Sequence, residues 1–316
     1  MQNSQNVVEF KIGQTFGVPM NEAITVAGFD QPGQFTPATD PDYVVRKDYI
    51  RDMIGFWFSG EKAMMIIGHS GCGKTSIIEQ WHARLNLPLL TVVAHPRMEI
   101  ADLIGHFIPT SKGGMEFHYG PVARAAKEGL SILIDEYFVL DPGVATGLNA
   151  LLQGGMLYIP ETGEAIRPVE GFRVFAATNP ADVGAGYFGR NTQDAANQDR
   201  FWTVKMGYPQ PEDEIPLIKK VLMVGMEDEP TAELFAEKMV DVANRVRRQY
   251  CGESDDAGAL DITFSTRSLK RWAALFTMFD VDRPEIFALE RAVTNRASPE
   301  AAKAIHDIVD VVFGCA

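Results

Sequence analysis

Cysteine is scarce and unpaired in pattern. Cys72, Cys251 and Cys315 lie far apart, and none has metal-ligand or redox spacing, so reduced thiols in an intracellular setting are expected. The six histidines, His69, His82, His95, His106, His118 and His306, lack metal-ligand spacing too, and no protein-held transition metal is expected. No run approaches the ~18 apolar residues of a membrane span, and the opening stretch Met1 to Phe10 lacks the apolar core of a secretory leader. The expectation is therefore a cytoplasmic chain with no membrane partner. Positive charge is short as well, with 29 Lys+Arg against 42 Asp+Glu and a net charge of −13. That balance argues against a broad phosphate-tracking surface, and hence against nucleic acid as a partner. Repeats and low-complexity tracts are missing.

What is present is a 316-residue chain, 46% hydrophobic, long enough to bury a full core without metal or disulfide. Residues 1–42 are rich in Gly, Pro, Gln and Thr and read as an N-terminal arm. Apolar residues at helical spacing then predict a helix over 43–58. Short apolar runs at 63–67, 89–94, 131–134, 172–177 and 203–206 alternate with helical patterns at 74–85, 121–128, 143–153 and 194–200. Runs with so little polar alternation fit strands covered on both faces, which makes 43–210 an α/β three-layer domain with a parallel sheet. After Pro209-Gln210-Pro211 only helices are predicted, at 212–224, 231–250, 266–279, 284–294 and 299–313, giving a small all-helical domain over 211–316.

Gly68-His69-Ser70-Gly71-Cys72-Gly73-Lys74-Thr75 matches GxxxxGK[ST] in full, directly after an apolar strand and opening a helix. A chance match in a chain this long is on the order of 1% from average residue usage. The glycines let the backbone turn its N–H groups toward phosphate oxygens, and the helix adds its positive end. Lys74 can reach the β- and γ-phosphates, the Thr75 hydroxyl can ligate Mg²⁺, and Ser76 completes the cradle. ATP and Mg²⁺ are the expected cofactors. Ser131-Ile132-Leu133-Ile134-Asp135-Glu136 is an apolar strand ending in two carboxylates. Asp135 is expected in the Mg²⁺ shell, and Glu136 as the base that polarises the attacking water. Strand 172–177 ends in Thr178-Asn179-Pro180, which puts the Asn179 amide where it can orient that water.

These motifs together resemble an AAA+ ATPase of the MoxR type. Asp102-Leu103-Ile104-Gly105, Gly120-Pro121 before a helix, and Asp199-Arg200-Phe201 add to the resemblance. Within that group the chain looks most like the ATPase subunit of aerobic cobaltochelatase, the CobS type. This rests on Phe16-Gly17-Val18, Asp40-Pro41-Asp42-Tyr43, Ile78-Glu79-Gln80, Ala83-Arg84-Leu85-Asn86, Asp135-Glu136-Tyr137, Ile166-Arg167-Pro168 and the segment from Gly186-Tyr187-Phe188-Gly189 to Asp199-Arg200. Thr178-Asn179-Pro180 instead follows the general MoxR form.

The resemblance implies a five-stranded parallel AAA+ core followed by a helical lid, and self-association into a ring, a hexamer. It implies that Arg200 acts on a neighbouring subunit's nucleotide, with Arg190 as the alternative. An ion pair of Arg200 with Asp194 or Asp199 on a solvated helix is the plainer reading of the same residue. Arg267, opening a lid helix in Ser265-Thr266-Arg267, is the implied lid sensor, with Thr266 where the family usually has Pro and Arg271 one turn on as the fallback. Hairpins are predicted over 104–119, turning at Gly113-Gly114, and over 156–167, turning at Glu161-Thr162-Gly163. In MoxR-type proteins such hairpins face the pore or a partner. The implied function is ATP-driven remodelling of a partner protein. In the cobaltochelatase form it powers cobalt insertion into a corrin precursor, with a von Willebrand A domain subunit and a large cobaltochelatase subunit. The alternative is a chaperone or enzyme activase that works with a von Willebrand A domain protein on another client. A nucleotide-dependent binding switch and a DNA motor are the remaining classes.

Overall fold

The computed structural model describes residues 6–111, 113–180, 195–252 and 260–314. These residues form two compact units. One comprises the chain up to Gly68, residues 74–180 and residues 195–206; the other comprises His69–Gly73 and the chain from Gly207 onward.

The first unit opens with β1 (Val7–Lys11), α1 (Ile12–Phe16), β2 (Thr25–Phe29) and α2 (Lys47–Ser59). Then come β3 (Ala63–Gly68), α3 (Lys74–Arg84), β4 (Leu89–Val93), α4 (Ile100–Ile104), β5 (Gly105–Pro109), β6 (Met115–Tyr119) and α5 (Pro121–Glu128). It continues through β7 (Ser131–Asp135), α6 (Pro142–Gly147), α7 (Asn149–Leu152), β8 (Leu157–Ile159), β9 (Glu164–Ile166), β10 (Arg173–Thr178), α8 (Ala195–Gln198) and β11 (Trp202–Met206). The main sheet has the order β11-β3-β10-β7-β4 with every neighbouring pair parallel. All five strands fall within one residue of the runs expected from the sequence. The central β3, β7 and β10 are buried almost throughout, whereas the edge strands β4 and β11 alternate buried and exposed positions. Burial on both faces is what an uninterrupted apolar run encodes. In register, Asp135 lies beside Ala177 and Val93, and Thr178 beside Ile67. The carboxyl ends of β3, β7 and β10 therefore reach one rim of the sheet together, the rim where open α/β sheets bind ligands.

The N-terminal segment is more ordered than an arm. β1 and β2 pair antiparallel, Ile12 and Phe16 are buried, and the Phe16 ring stacks on Trp81 of α3 at 5.2 Å. Gly28 permits the docking: a Cβ there would lie 2.1 Å from the Leu85 carbonyl oxygen, which accepts from the Phe29 N–H at 3.2 Å. The strands escaped the sequence reading because their burial is partial and their anchors few. The two expected hairpins are β5–β6, turning through Gly113 and Gly114 at φ 78° and 110°, and β8–β9, turning at Gly163. The Tyr119 hydroxyl and the Lys127 ammonium both reach Glu164, at 2.5 and 2.8 Å, and so tie the hairpins together. The helix expected over 143–153 is broken into α6 and α7 at Leu148.

The second unit contains α9 (Pro211–Leu222), α10 (Glu229–Tyr250), α11 (Thr266–Phe276), α12 (Pro284–Ala292) and α13 (Pro299–Phe313). Asp228, Ser265 and Ser298 cap α10, α11 and α13 through side-chain oxygens, which satisfies helix-start N–H groups that lack an intrahelical partner. Trp272, Phe264, Met239 and Leu289 centre its core, and the Trp272 indole N–H donates to the Glu285 carbonyl at 2.8 Å.

Candidate nucleotide site

At the rim of the sheet, three strand ends deliver one polar cluster. Lys74, only 8% exposed, donates to the Gly68 carbonyl at 2.8 Å and to Asn179 Oδ1 at 2.7 Å. The Thr75 hydroxyl donates to Asp135 Oδ2 at 3.0 Å, while Asp135 Oδ1 accepts the Glu136 N–H at 2.9 Å. Glu136 is left-handed at φ 56°, ψ 38°, a conformation costly for a residue with a Cβ and found disproportionately at functional sites. Its carboxylate receives the Asn179 amide at 3.4 and 3.5 Å, so Asn179 touches Lys74 with one end and Glu136 with the other. The Thr178 hydroxyl accepts from the Phe138 N–H at 3.4 Å and helps hold the turn after β7. The structure thus gathers Gly68, Lys74, Thr75, Asp135, Glu136 and Asn179.

Glu79, one turn beyond Thr75 on α3, is a carboxylate to which the motifs assign no role. Burial, and then the charge of Asp135, push its carboxyl above the ordinary range. The i, i+4 spacing from Thr75 was the signal that could have singled it out.

The turn after Glu136 is tied to the helix that leads to Arg200. The buried Tyr137 hydroxyl meets Asn197 Oδ1 at 3.2 Å, its ring packs edge-on against Phe201 at 5.3 Å, and burial raises its pKa well above the usual phenol value. The Asn197 amide nitrogen in turn reaches Asn149 Oδ1 at 2.7 Å. Arg200 is half-buried; its guanidinium donates to the Ala196 carbonyl, and its Nε is buried without a partner among the described residues. Arg190 and the segment Gly186–Gly189 lie outside the described residues, as does Cys315.

In the second unit, Gly71 and Gly73 of the phosphate loop adopt φ of 77° and 101°, and Cys72 is buried. Ser76 lies in the first turn of α3, in the other unit, and is half-buried. A Cβ on Gly71 would lie 2.2 Å from Ser265 Cβ, so glycine is required there on two counts. Arg267 and Arg271 are both exposed on α11. Among the described residues no cluster of His, Cys, Asp and Glu suits a metal held by the protein alone, and no helix is long and apolar enough to cross a membrane.

A Walker-type sequence between β3 and α3, a strand ending in paired carboxylates and an amide after the strand between β3 and β7, together with the parallel order β11-β3-β10-β7-β4, define a P-loop nucleotide-binding domain of the AAA+ class. Residues 63–201 match the AAA domain (dynein-related subfamily), and residues 224–312 match the CbbQ/NirQ/NorQ C-terminal family. The denitrification regulatory protein NirQ of Stutzerimonas stutzeri is 30% identical over 254 residues, 79% of this chain and 85% of NirQ. The aerobic cobaltochelatase subunit CobS of Sinorhizobium sp is 27% identical over 269 residues, 83% of this chain and 78% of CobS. Midasin of Giardia intestinalis is 25% identical over 240 residues, 75% of this chain but 5% of midasin's length. The chain belongs to the MoxR-type AAA+ ATPases and is an ATP-hydrolysing enzyme.

Proposed function

We propose that this chain is a ring-forming, Mg²⁺-dependent ATPase that uses hydrolysis to remodel a partner protein. The observation that carries the reading is the junction of Lys74, Thr75, Asp135, Glu136 and Asn179 within one hydrogen-bonded cluster. Lys74 serves the β- and γ-phosphates, giving up the Asn179 oxygen to do so. A hydroxyl and a carboxylate oxygen 3.0 Å apart suit a hard divalent cation, so Thr75 and Asp135 are its holders. Bound there, Mg²⁺ would neutralise phosphate charge. Glu136 takes the proton of the attacking water, and the Asn179 amide, once released from Lys74, orients that water. Arg200 supplies positive charge to a neighbouring subunit's phosphates, and Arg267 senses nucleotide from the lid.

Two clients fit this engine. The CobS relative supports cobalt insertion into a corrin precursor, with a von Willebrand A domain protein and a large chelatase chain as partners. The match of residues 224–312 to the CbbQ/NirQ/NorQ C-terminal family, together with the NirQ relative, favours an activase acting on a different client. The test is Glu136→Gln, which is expected to bind ATP yet turn over at least about 100-fold more slowly. Purified with ATP and Mg²⁺, it retains its client for identification by mass. A chelatase-like chain establishes the cobalt reading, another client establishes the activase, and wild-type turnover by the variant removes Glu136 as the base.

A further inference from the structure

The phosphate loop works only if its peptide N–H groups point inward. In a trans peptide the carbonyl of one residue and the N–H of the next point in opposite directions. Whatever fixes the Ser70 carbonyl therefore fixes the direction of the Gly71 N–H. The Tyr208 hydroxyl donates to that carbonyl at 3.2 Å. It is itself held by Thr263 Oγ1 at 2.5 Å. The Tyr208 ring stacks on His69 with centroids 6.1 Å apart and planes 10° apart, and the Arg247 guanidinium lies over the same ring, 4.5 Å from its centroid. Arg247 is fully occupied: it makes paired bonds to Glu214 at 2.5 and 2.9 Å and donates Nε to the Phe264 carbonyl at 2.7 Å. Glu214 also accepts from Thr266 at 2.5 Å. Every one of these residues belongs to the second unit.

We infer that Tyr208 is a positioning residue for phosphate binding. It locks the Ser70–Gly71 peptide with its N–H turned into the loop, and the Thr263 hydroxyl and the Arg247–Glu214 pair hold Tyr208 in place. Gly71, at φ 77° and packed against Ser265, has the backbone freedom that makes such a lock necessary. The inference rests on the reading of residues 68–75 as the nucleotide loop.

Tyr208→Phe tests it, because the ring contacts with His69 and Arg247 remain and only the hydroxyl goes. ADP affinity and the ATP KM are measured on the full chain, alongside the melting midpoint of the nucleotide-free protein. We expect ADP to bind about two- to tenfold more weakly, the worth of one hydrogen bond. The loss should fall on KM more than on kcat, with an unmoved midpoint. Thr263→Val should shift ADP affinity in the same direction by less, and adding it to Tyr208→Phe should bring no further loss. Wild-type ADP affinity in Tyr208→Phe overturns the inference, and so does a loss that merely tracks a falling midpoint. If the wild-type chain binds no ADP, the nucleotide reading itself falls, an outcome distinct from either.

Discussion

Among the described residues each unit buries one long cation, and the two are held in opposite ways. Lys74 in the first unit, 8% exposed, takes a backbone carbonyl and an amide oxygen. Arg247 in the second, 3% exposed, takes both oxygens of a carboxylate that is itself 1% exposed. Neutral oxygens are partners that a phosphate can replace, whereas a bidentate carboxylate is a partner for the life of the fold. Burial alone therefore does not say whether a charge is structural or functional; the exchangeability of its partners does. The same contrast separates Asn179, which bridges two reactive groups, from Asn197, which ties the Tyr137 turn to α6 and α7.

The largest effect expected is Lys74→Ala, which should abolish ATP binding in a fluorescent-nucleotide titration. It should cost the nucleotide-free protein no more than about 1–2 kcal/mol, because the Gly68 carbonyl and the Asn179 amide oxygen that it leaves are neutral acceptors. A full loss of fold would break the comparison, and retained affinity would sink the phosphate-loop reading. Arg247→Met is expected to do the reverse. Leaving Glu214 buried and unpaired should cost about 3–5 kcal/mol in denaturant unfolding of the full chain. The double change Arg247→Met with Glu214→Leu should recover a large part of that, since well-packed apolar replacements of a buried pair are often neutral. If the double variant were as unstable as the single one, the pair would be more than a self-contained bond.

The contrast also shows which features could be read from the chain alone. Lys74 and Thr75 open the helix that follows an apolar strand, and Asp135, Glu136 and Asn179 lie at the ends of two others, so local spacing was enough to single them out as candidates. The strands themselves were legible because burial on both faces leaves a continuous run, as in β3 and β7. Arg247 and Glu214 are 33 residues apart, and nothing in either neighbourhood announces the other. Tyr208 directly precedes Pro209-Gln210-Pro211 with no motif around it, and only the Ser70 carbonyl it meets draws attention to it. The N-terminal hairpin was hidden for a different reason: its order comes from docking Phe16 onto α3 and Gly28 against the Leu85 carbonyl just beyond it, not from its own hydrophobic pattern. The α6–α7 break follows Gly147, a residue that weakens a helix interior and was present to be read.

A buried imidazole, His82, sharpens the comparison with the smallest effect. It is fully buried on α3, with rings of Trp57 and Phe175 around it and the Arg173 guanidinium nearby. Its Nδ1 lies 2.7 Å from the Ile78 carbonyl, so that nitrogen must carry the proton, and Nε2 is buried with no partner among the described residues. Burial, aided by Arg173, holds its pKa down to about 4. Where Arg247 is buried charged and matched, His82 is buried neutral. A folded pKa below the unfolded value means that the unfolded chain binds the extra proton between about pH 6.5 and 4. The contribution is therefore complete above about pH 6.5 and is lost as pH falls toward 4. Between pH 7 and 5 this amounts to about 2 kcal/mol. Urea unfolding at both pH values, for wild type and for His82→Leu, isolates it: the wild type should lose about 2 kcal/mol more than the variant. Equal losses would mean that the ring is already protonated in the fold, with a counter-charge reaching Nε2.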